Sequence, residues 1–222
     1  MGRSLPNRIW HGLVKMLARL VLVMVYRIRS HGDNFVPETG GALVLSNHQS
    51  NLDPIAIGSV CHRRLNYVAR KTLFRFPPLR WLMNSLDAIS IDREGSGFGG
   101  LKETLKRLKR GEMVLLFPEG TRTPDGEVQA MKPGFCAIAR RAGVPLVPVA
   151  LDGSFDAWPR QQRFPRRSII HVQFGEPIEP AAIQGMTDQE LLGEVELRIR
   201  TCHEQVRRAR QQAGWKPSPA CT

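Results

Sequence analysis

The sequence predicts an α/β fold. It reads as a single domain with a central, mostly parallel or mixed sheet flanked by helices, preceded by an N-terminal amphipathic helix. Short apolar runs such as "ALVLS" and "VPLVPVAL" have the length and bounding turn residues of buried strands. Longer stretches between them carry apolar residues three and four apart, with the capping residues of helices at their ends. The two kinds of stretch alternate along the chain, as they do in βαβ units. A chain of 222 residues is long enough for one sizeable core, at the upper end of single-domain length.

Residues 1–30 predict an amphipathic helix that associates with a membrane. Ile9, Leu13, Leu17, Leu20, Met24 and Ile28 fall on one face, and Lys15 and Arg19 on another. Trp10 and Tyr26 stand near the ends, as aromatic residues do at a bilayer interface. The uninterrupted apolar stretch Leu20–Tyr26 is far shorter than the ~20 residues that span a bilayer. No small-residue cleavage site follows it, so a secretory signal is not expected either. The plainer alternative is a terminal helix packed on its own domain.

Residues 31–212 form the main domain. "GGALVLSNH" reads as a buried strand, and "DPIAIGSVCH" as a helix with Asp53 as N-cap and Pro54 at the first helical position. "LNYVARK" and "DAISIDR" read as strands, separated by the aromatic, basic and proline-rich "FRFPPLRWLMNSL". "FGGLKETLKRLKRG" is a helix with Leu101, Leu105 and Leu108 inward and Gly111 closing it. "EMVLLFPEGTR" is a buried strand running into a Pro-Gly turn, "GFCAIARRAG" a short helix, and "VPLVPVAL" and "SIIHVQFGEPI" strands. A long last helix opens at the capping box Thr187-x-x-Glu190. Residues 213–222 read as a flexible tail.

The net charge of +12 calls for a polyanionic partner: nucleic acid, an anionic membrane surface or phosphorylated small molecules. Cysteines at 61, 136, 202 and 221 form no Cys-x-x-Cys pair, which argues against a disulfide framework or a zinc site and for reduced thiols in the cytosol. The histidines show no His-Glu-x-x-His spacing, so no metal is expected.

His48 and Asp53 are the first candidates for chemistry. If a helix starts at Asp53, His48 lies in the turn before it, and that turn can fold the carboxylate back onto the imidazole. A carboxylate on one ring nitrogen sets the tautomer and leaves the other nitrogen to take a proton from a hydroxyl. The bland alternative is a helix cap beside a polar loop residue, and the two roles are compatible. No Gly-x-Ser-x-Gly elbow supplies a nucleophile, so the nucleophile belongs to the substrate. In "LFPEGTRT", Pro118 and Gly120 force a turn that presents backbone N–H groups, and Arg122 adds an anion fork. A local Glu119–Arg122 salt bridge is the alternative there. Lys132 in "MKPGF" is a further cation or a solvated loop lysine, and Asp92-Arg93 an anion contact or a structural ion pair. His48, Arg93 and Glu119–Arg122 all follow predicted strands, at the edge where α/β sheets place ligands.

In this combination the sequence resembles the glycerolipid acyltransferases, which acylate glycerol 3-phosphate or lysophosphatidic acid. "NHQSNLD" is similar to the family's His-four-residues-Asp block, "AISIDR" to its second, "FPEGTRT" to its third and "VPLVPVAL", around Pro148, to its fourth. Ile91 stands where Phe or Val is also frequent in the family, and Thr123 where Ser is usual. "MKPGF" is similar to the family's Lys-x-Gly segment.

The resemblance implies a 1-acylglycerol-3-phosphate O-acyltransferase that makes phosphatidic acid. His48 would be the general base and Asp53 its orienter. Arg93, Glu119, Gly120, Thr121 and Arg122 would bind the acceptor's phosphate and glycerol, with Lys132 on a phosphate or the developing oxyanion, and Pro148 would shape the strand behind the pocket. It implies a thioester of coenzyme A or acyl carrier protein as co-substrate, with no cofactor and no metal. It also implies a place on an anionic membrane surface at the cytoplasmic face, with the basic helix of Lys102, Lys106, Arg107, Lys109 and Arg110 toward the lipid. "FRFPPLRWL" would open an acyl groove or form an aromatic core loop. Another lysophospholipid or a lyso-aminolipid is the alternative acceptor. Nucleic acid is not expected, because no recognition helix or aromatic stacking motif accompanies the charge.

Overall fold

The computed structural model describes residues 5–70, 89–91 and 98–214. Arg93 and the stretch "FRFPPLRWLMNSL" lie outside them, as do residues 215–222 of the tail. Among the described residues seven strands form one sheet: β1 (Arg29–His31), β2 (Ala42–Ser46), β3 (Leu65–Arg70), β4 (Ile89–Ile91), β5 (Met113–Leu116), β6 (Leu146–Asp152) and β7 (His171–Phe174). Their order is β1-β7-β6-β2-β5-β3-β4. Every neighbouring pair is parallel except β6 with β7. The expected mixed, mostly parallel sheet is therefore present, and short β1 extends it beyond β7.

The central strands are buried on both faces, and their alternate residues go to opposite sides. Leu43, Leu45, Val114 and Leu146 pack with helices α3 (Phe98–Lys109), α4 (Gly134–Ala142) and α7 (Asp188–Gln212) on one face. Ala42, Val44, Met113, Leu115 and Val147 pack on the other with α1 (Leu5–Tyr26) and α2 (Asp53–Val60). Short helices α5 (Ser154–Ala157) and α6 (Pro180–Gly185) complete the connections. The expected capping box opens α7: Glu190 N–H donates to the Thr187 hydroxyl at 3.2 Å and Thr187 N–H to Glu190 Oε2 at 2.7 Å. Proline is awkward inside a sheet because it has no N–H to donate. Pro148 escapes the difficulty because its carbonyl faces Gly175, which lies just past the end of β7.

Two expectations about helices need correction. Leu13, Leu17, Leu20 and Met24 are exposed on α1, as the apolar face requires, but the helix stops at Tyr26, and both Tyr26 and Ile28 are buried. Tyr26 is thus a core residue and not an interfacial one. In α3, Arg107 is half-buried; it pairs with Glu103 at 3.0 Å and donates to Asn66 Oδ1 at 2.6 Å, tying α3 to β3 in place of facing lipid.

Candidate active site

β2 delivers the chain to the C-terminal edge of the sheet, and Asn47 turns it there. Its side chain donates to the Leu151 carbonyl at 3.0 Å and accepts the Leu151 N–H at 2.9 Å, so it imitates one more rung between β2 and β6. The next residues form a buried turn that ends in α2. Asp53 is the first residue of that helix and is fully buried; Leu52, not Asp53, occupies the N-cap position. The carboxylate does not reach forward to its own helix. It reaches back into the turn, where Oδ2 accepts N–H bonds from Gln49 at 2.6 Å and Ser50 at 2.7 Å and lies 2.8 Å from His48 Nδ1. The cap expected of Asp53 is therefore a clamp on the preceding turn. A negative charge at a helix N-terminus also gains from the helix dipole.

His48 is partly exposed and stacks on Phe117, the residue after β5, with ring centroids 4.1 Å apart. Asp53 claims its Nδ1, so Nε2 is the nitrogen left for a proton from outside. Such a pair can act as a general base.

The β5 turn closes over this pair. Thr123 N–H donates to the His48 carbonyl at 2.8 Å, and His48 N–H donates to Glu119 Oε1 at 3.3 Å. Glu119 is buried, and burial pushes its carboxyl up to about 8, against the pull of nearby His48 and Gln129 amides; the Asp53 charge adds to the rise. Gly120 has φ +77°, where a side chain is strained, and a Cβ there would sit 3.4 Å from Lys132 Nζ. Lys132 thus leans on the turn, and its N–H donates to the Pro118 carbonyl at 3.0 Å. Thr121 is exposed and Arg122 half-buried in the same turn. Of the residues expected to meet, His48, Asp53, Glu119, Gly120, Thr121, Arg122 and Lys132 come to one region of the sheet edge, and Arg93 lies outside the described residues.

Four contributors are not legible in the sequence: Ser154, Gln49, Asp152 and Arg210. The Ser154 hydroxyl, fully buried after β6, donates to Asp53 Oδ1 at 2.5 Å. Gln49 accepts from Ser154 at 3.2 Å and donates to the Gly126 carbonyl at 2.7 Å and Asp152 Oδ1 at 3.4 Å. Asp152 in turn holds the fully buried Arg210 of α7, whose guanidinium also reaches Asp156 at 2.7 Å. His203 and Arg210 hold the Asp152 carboxyl well below the usual carboxylate range in spite of its burial. A chain of hydrogen bonds through Gln49 and Ser154 therefore links the last helix to Asp53.

A family model described as Acyltransferase matches residues 27–152, which include His48, Asp53 and the β5 turn. The chain belongs to the acyltransferase family. Among curated relatives, the chloroplastic 1-acyl-sn-glycerol-3-phosphate acyltransferase LPAT1 of Arabidopsis thaliana is 31% identical over 147 residues, 65% of the chain and 41% of the relative. The 1-acyl-sn-glycerol-3-phosphate acyltransferase of Bacillus subtilis is 28% identical over 175 residues, 78% of the chain and 85% of the relative. The chain thus spans about two fifths of the plant relative and most of the bacterial one. The crystal structure of the 1-acyl-sn-glycerophosphate acyltransferase PlsC from Thermotoga maritima shares the fold, with a TM-score of 0.78 at 23% identity over 98% of the chain and 86% of that structure.

Proposed function

We propose that the protein moves a fatty acyl group from an acyl thioester of coenzyme A or acyl carrier protein to the free hydroxyl of 1-acylglycerol 3-phosphate, giving phosphatidic acid. The observation that carries this reading is the His48–Asp53 pair at 2.8 Å, held at the sheet edge against the turn of residues 119–122. The relatives' names point to the same acceptor.

His48 Nε2 takes the proton of the acceptor hydroxyl while Asp53 steadies the imidazolium. The alkoxide attacks the thioester carbonyl, a C–O bond forms, and a tetrahedral oxyanion results. Its collapse breaks the C–S bond, and the thiolate leaves with the proton from His48. The acyl group never rests on the protein, and the chemistry asks for no metal or cofactor. Gly120, Thr121, Arg122 and Lys132 bind the acceptor phosphate and glycerol or the developing oxyanion, with Arg93 completing the set. A neutral Glu119 can donate a hydrogen bond there without repelling the phosphate. Among the described residues no helix is long and apolar enough to cross a membrane. The exposed apolar face of α1 lies on the bilayer that holds the amphiphilic acceptor.

The test is an acceptor panel with one labelled acyl thioester, read by lipid mass spectrometry. Lysophosphatidic acid is expected to be the preferred acceptor, and His48→Ala to lower turnover by on the order of 10²–10⁴-fold. Full turnover in His48→Ala would end the mechanism. Preference for a lysolipid without the phosphate would move the assignment to another acceptor.

A further inference from the structure

The loop between α5 and β7 carries charge of one sign. Residues 160–167, "RQQRFPRR", hold four arginines in eight positions, and no acid occurs from Ala157 to Gly175. Arg160, Arg163, Arg166 and Arg167 are all exposed. Between them Phe164 is 69% exposed, with the Arg163 guanidinium 5.4 Å from its ring centre. The loop is not slack. The Trp158 indole N–H donates to the Gln162 carbonyl at 3.0 Å, Arg166 N–H to the Ala157 carbonyl at 2.7 Å, and the Ser168 hydroxyl to the Gly153 carbonyl at 2.9 Å. An ordered loop that keeps an aromatic ring in water among cations is shaped for something outside the molecule.

Its two ends say where that something lies. At one end the Ser50 hydroxyl, in the His48 turn, donates to the Trp158 carbonyl at 2.8 Å. At the other, Ile170 N–H donates to the Tyr26 carbonyl at 3.0 Å, at the end of α1, and Arg29 N–H donates back to Ile170 at 3.0 Å. That return sets the exposed Arg27 and Arg29 beside the loop. The basic loop therefore bridges the His48 turn and the helix with the exposed apolar face.

We infer that the loop of residues 160–167 is a lipid-contact surface: its arginines take the phosphates of an anionic bilayer, and Phe164 enters the headgroup layer. An acidic protein would answer the arginines alone. The exposed ring and the neighbouring apolar helix match a bilayer, whose surface offers anions above and hydrocarbon below. The inference rests on the acyl-transfer reading for its purpose, because a bilayer contact beside the His48 turn brings the site to its amphiphilic acceptor.

The experiment measures partitioning of the full chain onto vesicles of phosphatidylcholine with and without phosphatidylglycerol. Each basic residue at an anionic surface contributes about fivefold in partitioning, so Arg163→Gln/Arg166→Gln/Arg167→Gln should bind anionic vesicles roughly 100-fold more weakly. Phe164→Ala should weaken binding to both vesicle types. Melting temperature, and turnover of a short-chain water-soluble acceptor without vesicles, should stay at the wild-type value. The inference is overturned if the triple variant partitions like wild type, or if its turnover of the soluble acceptor falls in step with binding. It is also overturned, in favour of a protein partner, if the variant loses affinity for an acidic carrier protein while vesicle binding is intact. A wild-type chain that partitions as described yet acylates no lysolipid would remove the acyl-transfer reading and leave the lipid surface standing.

Discussion

Asp53 accepts more than a helix cap would ask of it. Three donors converge on Oδ2, from His48, Gln49 and Ser50, and Ser154 takes Oδ1. The residue therefore builds the turn that presents His48 and also orients the imidazole. Asp53→Asn keeps one acceptor oxygen but loses the charge. Hydrogen bonds to charged groups contribute about 1.5–3 kcal/mol, so denaturant titration should show a loss of that order together with the fall in turnover. Wild-type stability with lost turnover would mean that the charge serves chemistry alone. The Ser154 hydroxyl bonds Asp53 and Gln49, so it acts on His48 through Asp53. Ser154→Ala should lower kcat about tenfold through a looser Asp53, with KM for the acceptor unchanged, and Ser154→Thr should restore it. A change confined to KM would place Ser154 in acceptor binding instead.

At the scale of elements, the apolar runs bounded by turn residues and the capped helices were legible in the sequence, and the elements with neither signal were not. β2, β5 and β6 announce themselves as apolar runs, and α7 by its capping box, because each signal lies within a few residues. β1 and α5, with three and four residues, are too short to show a period. The His48–Asp53 pair is legible because both partners sit on one turn. Ser154 and Arg210 are not, because their partners stand about a hundred and about sixty positions away, and only the fold joins them. In the sequence nothing local sets Arg210 apart from the other arginines of its helix. Removing it would take from Asp152 and Asp156 their shared guanidinium at the packed end of α7 and leave Asp152 with His203, a loss of about 3–5 kcal/mol. At about 2–4 °C per kcal/mol for a domain of this size, Arg210→Ala should melt roughly 10 °C below wild type. On α1 the two roles separate by face. Gln at Leu13, Leu17, Leu20 and Met24 should abolish vesicle binding and leave the melting temperature in place, since all four are exposed. Leu22→Ala, on the buried face, should cost about 2–5 kcal/mol and spare vesicle binding. Cutting the chain after residue 28 would confuse the two, because it removes Leu22, Tyr26 and Ile28 from the core.

For the whole molecule, two buried groups pull the pH dependence of stability in opposite directions. Glu119 keeps its proton up to about 8, mainly because burial disfavours the charge, whereas the unfolded chain releases it near the ordinary carboxylate value. From about pH 4.5 upward the unfolded state holds fewer protons at this site than the folded one, so stability falls with rising pH until about 8, at up to about 1.4 kcal/mol per pH unit. His171 has the reverse sign. Burial, with His31, Arg29 and Arg210 nearby, lowers it to about 4. Its ring lies 3.3 Å from His31 across the β1–β7 pair, and Nε2 has no hydrogen-bond partner among the described residues. The unfolded chain therefore takes up this proton first as pH falls below about 6.5, and stability drops with falling pH until about 4. Between about pH 4.5 and 6.5 the two slopes cancel. These groups thus give a plateau over that range, an alkaline decline due to Glu119 and an acid decline due to His171. Glu119→Gln retains an acceptor for the His48 N–H and should flatten the curve from about pH 6.5 to 8 while uncovering the His171 slope, so that stability falls from about 6.5 down to 4; His171→Gln should flatten the curve below about 4.5 and extend the Glu119 decline over the whole range from about 4.5 to 8. Denaturant midpoints measured from pH 4 to 8 on the three proteins check this, and an alkaline slope that survives in Glu119→Gln would show that the buried carboxyl does not hold its proton in the folded chain.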